Sequence, residues 1–207
     1  MAEKIATREA YGKALAALAD KYPDLVCFDA DLAGATMTKF FKAACPERFF
    51  DMGIAEADMV GVAAGMSLCG FKPFVNTFAM FAAGRAWEQV RNSVAYPHLN
   101  VKVVGSHGGL SVGEDGATHH GAFDMAALRP VPNLTIASPM DERELRRLMF
   151  TAQLPDKGSF VIRYPRGRGV LTDWRCPLTE IEVGTGRRLT EGDPKPGDVA
   201  VLTIGPV

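Results

Sequence analysis

The sequence has few of the features that mark a secreted, membrane-bound or nucleic-acid-binding protein. Its 207 residues include only four cysteines, scattered without the Cys-x-x-Cys spacing of zinc or redox sites. No apolar run approaches the about 18 residues that a membrane span needs. The formal net charge of -1 leaves no basic excess to attract a polyanion. We therefore expect a cytoplasmic protein with reduced thiols that binds neither nucleic acid nor a membrane.

What the sequence does contain is an ordinary globular composition in which short apolar runs alternate with helical patterns. Strands are predicted at 25–30, 72–78, 101–105, 134–138 and 159–164, and helices at 7–22, 57–70 and 82–95. A further helix is predicted to begin with Ser138 as its N-cap and Pro139 as its first residue. The alternation indicates an α/β fold: a doubly wound, mostly parallel sheet with helices on both faces.

The character of the sequence changes after residue 170. Residues 171–184 carry turn signals and charge, which are typical of a linker. The segment DVAVLTIGPV at 198–207 has the pattern of a buried strand, and one strand alone cannot cover both of its faces. We therefore expect one domain over 1–170 and the start of a truncated second domain over 185–207.

Two short segments have both a structural and a functional interpretation. In MGIAE, Glu56 stands where a helix of small residues begins, and it either complements the helix dipole or is desolvated for proton transfer. Phe78 and Phe81 lie one turn apart before a helix that bears Arg85. Such a pair of rings belongs to the core or forms a wall for a flat heterocycle. These residues alone leave both alternatives open.

The loop SHGGLSVGEDGATHHG at 106–121 is not expected in the core, because burial of loop backbone and charge costs free energy. His107, His119 and His120 are badly spaced for zinc, since neighbouring histidines rarely point to one metal. Acid–base work by an imidazole is the better interpretation, because histidine titrates near neutrality.

A basic turn follows the last predicted strand. In IRYPRGRG, Arg163, Arg166 and Arg168 stand close together in the sequence. Arginine forks match the oxygens of a phosphate, so this turn is the main candidate anion site on a nearly neutral chain. The alternative is a solvated basic turn.

Taken in this order and at these separations, GIAE, TFAMF, GEDGATHH and the strand-end arginine resemble the pyrimidine-binding domain of the transketolase family. The resemblance covers roughly residues 5–170. It implies the thiamine-diphosphate-binding fold, with an active site shared between two chains. It also implies thiamine diphosphate as cofactor and transfer of a two-carbon unit to an aldose phosphate.

The resemblance also assigns roles to particular residues. Glu56 would bond the pyrimidine ring nitrogen and activate the cofactor, with Phe78 and Phe81 flanking the ring. Asp31 and Arg85 would complete the cofactor site. Five residues would contact the sugar-phosphate substrate, and the two histidines among them would also transfer protons: His107, Asp115, His119, Arg163 and Arg166. Gly84 stands where many members carry a third ring, which would weaken stacking.

Different parts of the chain resemble different members of the family. Residues 1–105 look like the C-terminal subunit of a split transketolase, whereas the segments from GEDGATHH to RYPRGRG look more like 1-deoxy-D-xylulose-5-phosphate synthase. The donor would be a ketose phosphate in the first case and pyruvate in the second. Two further alternatives are a 2-oxoacid dehydrogenase beta subunit and a non-catalytic binding module.

One element of this cofactor class is missing from the sequence. There is no GDG motif followed by an Asn pair, the pattern that holds magnesium and diphosphate. We therefore expect a partner diphosphate-binding domain or subunit to hold them, in a homodimer or heterotetramer, and expect no metal site in this chain. The purified chain alone should not be catalytically active.

Overall fold

A six-stranded, fully parallel sheet forms the centre of the computed structural model, which describes residues 4–206. In chain order, the strands are β1 (Leu25–Asp29), β2 (Phe49–Asp51), β3 (Lys72–Phe78), β4 (Lys102–Ser106), β5 (Leu134–Ala137) and β6 (Ser159–Arg163). Their spatial order is β2-β1-β3-β4-β6-β5, and each neighbouring pair is parallel. The predicted parallel α/β sheet is confirmed, with the short edge strand β2 as an addition.

Helices connect the strands, as parallel pairing requires. They are α1 (Thr7–Ala19), α2 (Ala33–Thr36), α3 (Lys39–Ala44), α4 (Glu56–Leu68), α5 (Ala79–Gly84), α6 (Trp87–Gln89), α7 (Asp124–Leu128) and α8 (Glu142–Ala152). A 3-10 turn spans Pro46–Arg48, and a π-helical segment spans Val90–Ala95. Of the helices described, none has the length and apolarity needed to cross a membrane.

The sheet is covered on both faces, which makes the fold doubly wound. Strands β1 and β4 are buried along their whole length. One apolar cluster includes Leu15 of α1 and Leu145 of α8, and a separate cluster includes Met59 of α4 and Val90 of the π-helical segment. Strands buried on both sides need the near-continuous apolar runs that the sequence shows.

Two helix boundaries differ from the predictions. Helix α8 is capped by Asp141, whose side chain accepts a hydrogen bond from the Glu144 backbone N–H at 2.8 Å, and not by Ser138. Glu144 in turn accepts from the Met140 N–H at 2.6 Å, so this reciprocal pattern outcompetes a serine at the strand end. The helix predicted at 82–95 begins earlier, at Ala79, and ends in the π-helical segment.

The strand predicted from residue 198 does not form in the part of the chain that the structure describes. Val199, Val201 and Leu202 are 83%, 78% and 97% exposed, because no neighbouring strand pairs with them.

Residues 171–184, which were predicted to form a linker, pack against the domain in part. Trp174 is buried in the core, and the Ile181 N–H donates to Thr151 of α8 at 2.8 Å. The division into domains stays a prediction.

Candidate functional site

Most of the predicted site residues lie where parallel strands end. Strand β3 ends at Phe78, His107 directly follows the last residue of β4, and β6 ends at Arg163. In parallel sheets the carboxyl ends of the strands share one edge, and ligands bind in the crevice outside it.

Glu56 is the first residue of α4 and is buried, with 2% of its surface exposed. The Nη1 atom of Arg85 donates to both carboxylate oxygens, at 3.0 and 3.2 Å, while the Arg85 side chain remains half-exposed. The helix N-terminus and the guanidinium both favour negative charge at this position. The structure therefore places a fixed, buried carboxylate beside an accessible cation.

Phe78 and Phe81 stack on each other, with ring centroids 5.9 Å apart and an angle of 11° between the planes. A third ring between them would need about 3.5 Å on each side, which this spacing does not provide. A flat ligand would therefore meet an outer face of the pair, and the role of the two rings beside a heterocycle stays a prediction. The Arg85 guanidinium lies over Phe81, 4.2 Å from the ring centroid.

The two histidines of the glycine-rich loop contact this aromatic pair. The ring centroid of His107 lies 4.1 Å from that of Phe78, and its Nδ1 is 3.0 Å from the Ser106 hydroxyl. His119 meets Phe81 edge-on at 5.2 Å. Glu56, Arg85, both phenylalanines and both histidines thus form one continuous cluster.

The surroundings of His107 favour the neutral form of its imidazole ring. Burial, and after it the positive charges of Arg8 and Arg166, lower its pKa to about 4, while Asp115 opposes them. At neutral pH the ring is therefore an uncharged hydrogen-bonding group and not a cation. Its backbone is left-handed, with φ of 56°, a conformation that costs free energy in a non-glycine residue.

The predicted arginines differ in their surroundings. Arg166 is about one-third exposed, and its Nη1 donates to the Val112 carbonyl at 2.6 Å, so it borders the loop. Arg163 is mostly buried, and its Nε donates to the Asp124 carboxylate at 2.8 Å. The structure therefore gives Arg163 an internal partner, and its contact with the substrate stays a prediction.

The two remaining predicted residues, both aspartates, are exposed. Asp115 lies in the loop, close enough to influence His107. Asp31 lies beyond the end of β1 with a left-handed backbone, and its N–H donates to Asp51 at 3.1 Å. Asp31 is outside the contacts that join the cluster.

Sequence reasoning missed four residues near this site. Arg8 at the start of α1 acts on His107, Ser106 bonds its ring, and Asp124 pairs with Arg163. Asp29 at the end of β1 is fully buried, and burial raises its pKa to about 6 although Thr36, Thr38 and the Leu32 N–H bond to it. Of the four, Ser106 stands in the loop at 106–121 that the sequence had already singled out, and the other three stand outside the motifs described above.

Within residues 4–206, no three His, Cys, Asp or Glu side chains are grouped so as to hold a metal ion.

The family model described as "Transketolase, pyrimidine binding domain" matches residues 3–169. A 1-deoxy-D-xylulose-5-phosphate synthase of Bacteroides thetaiotaomicron is 50% identical over 97% of this chain and 30% of its own length. A putative transketolase C-terminal section of Methanocaldococcus jannaschii is 41% identical over 96% of this chain and 61% of its own length.

The solved structures agree with these relatives. A split-gene transketolase, described as an inactive beta4 tetramer, shares 46% identity with a TM-score of 0.76 over 91% of this chain and 59% of its own. The chain spans 30% of the length of the first synthase relatives and 61% of the transketolase section.

Proposed function

The chain belongs to the transketolase family through its pyrimidine-binding domain, and from this premise we propose that it forms the pyrimidine half of a thiamine-diphosphate-dependent active site. The proposed reaction is transfer of a two-carbon unit to an aldose phosphate. The observation that carries the proposal is the buried carboxylate of Glu56, joined through Arg85 to the aromatic pair Phe78 and Phe81.

The residues present fit an aminopyrimidine ring. Thiamine diphosphate supplies the carbanion chemistry when bound. Glu56 would hold a proton between its carboxylate and the ring nitrogen, because burial keeps water from competing for that contact. Phe81 would offer an outer face for stacking, and Arg85 would keep the carboxylate oriented.

The other side of the cluster fits a phosphorylated polyol. His119 and the neutral ring of His107 would hydrogen-bond to hydroxyl or carbonyl oxygens and relay protons there. Arg8 and Arg166 would bind the phosphate, since both place positive charge near His107. Asp115 would accept a hydrogen bond from a sugar hydroxyl, and Asp31 would lie near the cofactor.

A second candidate reaction differs only in its donor. The 50% identity to the Bacteroides protein favours a 1-deoxy-D-xylulose-5-phosphate synthase, in which pyruvate would replace the ketose phosphate. The 46% identity to a split-gene transketolase favours the first reaction. Both reactions would use the same residues of this chain for the cofactor and for the acceptor phosphate.

The proposal includes a partner. A diphosphate-binding domain or subunit would hold the diphosphate and Mg²⁺, in a homodimer or heterotetramer. Residues 185–207 would begin the second domain expected from the sequence. The split-gene relative, described as a beta4 tetramer, supports a subunit of this kind. We further propose a cytoplasmic location.

The test is reconstitution with candidate diphosphate-binding subunits. The chain is co-produced with each subunit, and turnover is measured with xylulose 5-phosphate or with pyruvate as donor. Activity that needs thiamine diphosphate and both polypeptides is expected, and the preferred donor assigns the reaction. Turnover by the purified chain alone would contradict the proposal, as would a complex that binds the cofactor and remains inactive with either donor.

A further inference from the structure

The ion pair between Arg163 and Asp124 has no role in the function proposed above. It is mostly buried, with side-chain exposures of 15% and 3%, and it lies directly beneath the glycine-rich loop. We propose that Arg163 is a positioning residue which, together with Asp124, fixes the loop at 106–121 so that His107 and His119 face the substrate. The role of the two histidines rests on the proposed function; the fixing of the loop does not.

Arg163 holds the beginning of the loop by close packing. It stands opposite Gly105 in the register of β4 and β6, two residues before His107. A Cβ atom placed at Gly108 would lie only 2.4 Å from Arg163 Nε and 2.8 Å from Cζ. The guanidinium therefore lies against the Gly108 backbone at a distance that a larger residue would not permit unless Arg163 shifted.

Asp124 holds the end of the same loop. It is the first residue of α7, three positions after Gly121, and its carboxylate receives Arg163 Nε at 2.8 Å. Between these points, Gly109 and Gly121 exchange a reciprocal pair of backbone hydrogen bonds, both 3.1 Å long. One guanidinium thus contacts both ends of a loop whose ends are also bonded to each other.

The loop needs this fixing because His107 is in an unfavourable conformation. A left-handed backbone at a non-glycine residue persists only where the surrounding structure over-determines it. The neighbouring backbone supplies such constraints, since the Gly108 N–H donates to the Tyr164 carbonyl at 3.0 Å, next to Arg163. Removal of one ion of a buried pair leaves the other uncompensated, so the pair should act as a unit.

The first test uses the 207-residue chain without a partner and compares Arg163→Met and Asp124→Asn with wild type. Hydrogen exchange is measured at the backbone N–H groups of Gly109 and Gly121, and the pKa of His107 is measured by NMR. Arg143→Met is the matched control, because Arg143 pairs with Asp173 on the exposed side of α8.

The expected result is the same in both loop variants. Exchange at Gly109 and Gly121 should become at least about tenfold faster, since opening of the loop needs less free energy. The pKa of His107 should rise from about 4 toward 6.5, because a loosened loop admits water around the ring and moves it relative to Arg8, Arg166 and Asp115. The control should change neither quantity. If both variants match wild type in exchange and in pKa, the proposal is overturned.

The second test separates positioning from direct phosphate binding, in the assembled complex that turns over substrate. A positioning role predicts that Arg163→Met, Asp124→Asn and the double variant raise the KM for the acceptor phosphate by similar factors, with the cofactor affinity unchanged. If Arg163 instead bound the phosphate directly, Asp124→Asn would free Arg163 for that contact and would leave the KM for the acceptor phosphate unchanged or lower. That second outcome would overturn the proposal. The exchange measurement is unaffected if the proposed reaction itself proves wrong.

Discussion

The two sides of the site are built in different ways. The Glu56 side, consisting of Glu56, Phe81 and Arg85, stands on the start of α4 and on α5 and its C-cap, where regular structure fixes each backbone. The loop side, consisting of residues 106–121, has no regular structure and depends on glycine contacts and on the Arg163–Asp124 pair. The Glu56 side presents a buried charge in one geometry. The loop side presents neutral and exposed polar groups on an irregular backbone.

This difference matches two chemical tasks. Proton exchange with a ring nitrogen needs a carboxylate that does not move, because the donor–acceptor distance controls the transfer. Selection among phosphorylated sugars needs several weaker contacts that a loop can provide at different positions. We therefore expect changes on the Glu56 side to affect turnover and changes on the loop side to affect substrate affinity.

The largest effect is expected for Glu56→Gln. The amide keeps the size of the side chain and loses its charge, so it cannot hold the proton at the cofactor ring. In the reconstituted complex, kcat should fall by about 100-fold or more while the KM for the acceptor changes little. Steady-state kinetics with saturating cofactor measure both values.

Glu88 of α6 offers a matched control. It is exposed and bonds to Asn92 on the helix surface, so Glu88→Gln should keep wild-type kcat. Equal losses in the two variants would mean that the Glu56 result reflects a general loss of acidic charge.

The next effect concerns Arg166 on the loop side. Arg166→Met should raise the KM for an aldose phosphate by about tenfold, since a charge-assisted hydrogen bond to phosphate is lost. The kcat should stay within about threefold of wild type, in contrast to Glu56→Gln. An unphosphorylated aldose serves as the control substrate, and an equal rise in its KM would remove the phosphate from the explanation.

A smaller effect on stability is expected for Arg85→Met. The variant leaves the buried Glu56 carboxylate without its partner, but Arg85 is half-exposed and solvent already screens the pair. The free energy of unfolding should fall by about 1–2 kcal/mol in urea. Adding Glu56→Gln should recover much of that loss, and a purely additive double variant would show that the two side chains do not interact.

The smallest expected effect is the pH dependence that His107 contributes. Its folded pKa of about 4 lies below the ordinary value of 6.5, so the unfolded chain binds the proton first as the pH falls. Stability from His107 is therefore present above about pH 6.5 and is lost on acidification toward pH 4. Asp29, with a pKa raised to about 6, acts in the opposite sense between pH 6 and its ordinary value of 3.8.

Comparison with His107→Gln isolates the histidine, because Asp29 is common to both chains. The stability of wild type relative to the variant should be lower at pH 5.5 than at pH 7 by about 1 kcal/mol in urea unfolding. An unchanged difference between the two pH values would mean that His107 titrates normally in the folded chain.

The sheet was predictable because its strands are nearly continuous apolar runs. The strand predicted at 72–78 is observed at Lys72–Phe78, and the strand at 25–30 ends one residue early. The cluster was also predictable from where its residues stand: Glu56 begins α4, Phe78 ends β3 with Phe81 and Arg85 in the turn of helix that follows, and His107 and His119 lie in the loop after β4. Parallel pairing then brings those positions to one edge.

What the sequence did not predict depends on tertiary contacts. Nothing local pairs Arg163 at the end of β6 with Asp124 or places Arg166 at the border of the loop, because both partners are distant in sequence. Arg8 acts on His107 across almost one hundred positions of sequence. The cap of α8 was assigned to Ser138, although the pattern of Asp141 followed three positions later by Glu144 was present.

The most direct test of the central claim pairs one change in the protein with one change in the cofactor. Turnover of the reconstituted complex is measured for wild type and Glu56→Gln, each with thiamine diphosphate and with an analogue whose pyrimidine nitrogen facing Glu56 is replaced by CH. If Glu56 acts through that nitrogen, either change alone should cause a similar loss, and the two together should cause little more. If the loss of turnover with both changes equals the product of the two separate losses, Glu56 and the ring nitrogen act independently, and the account is contradicted.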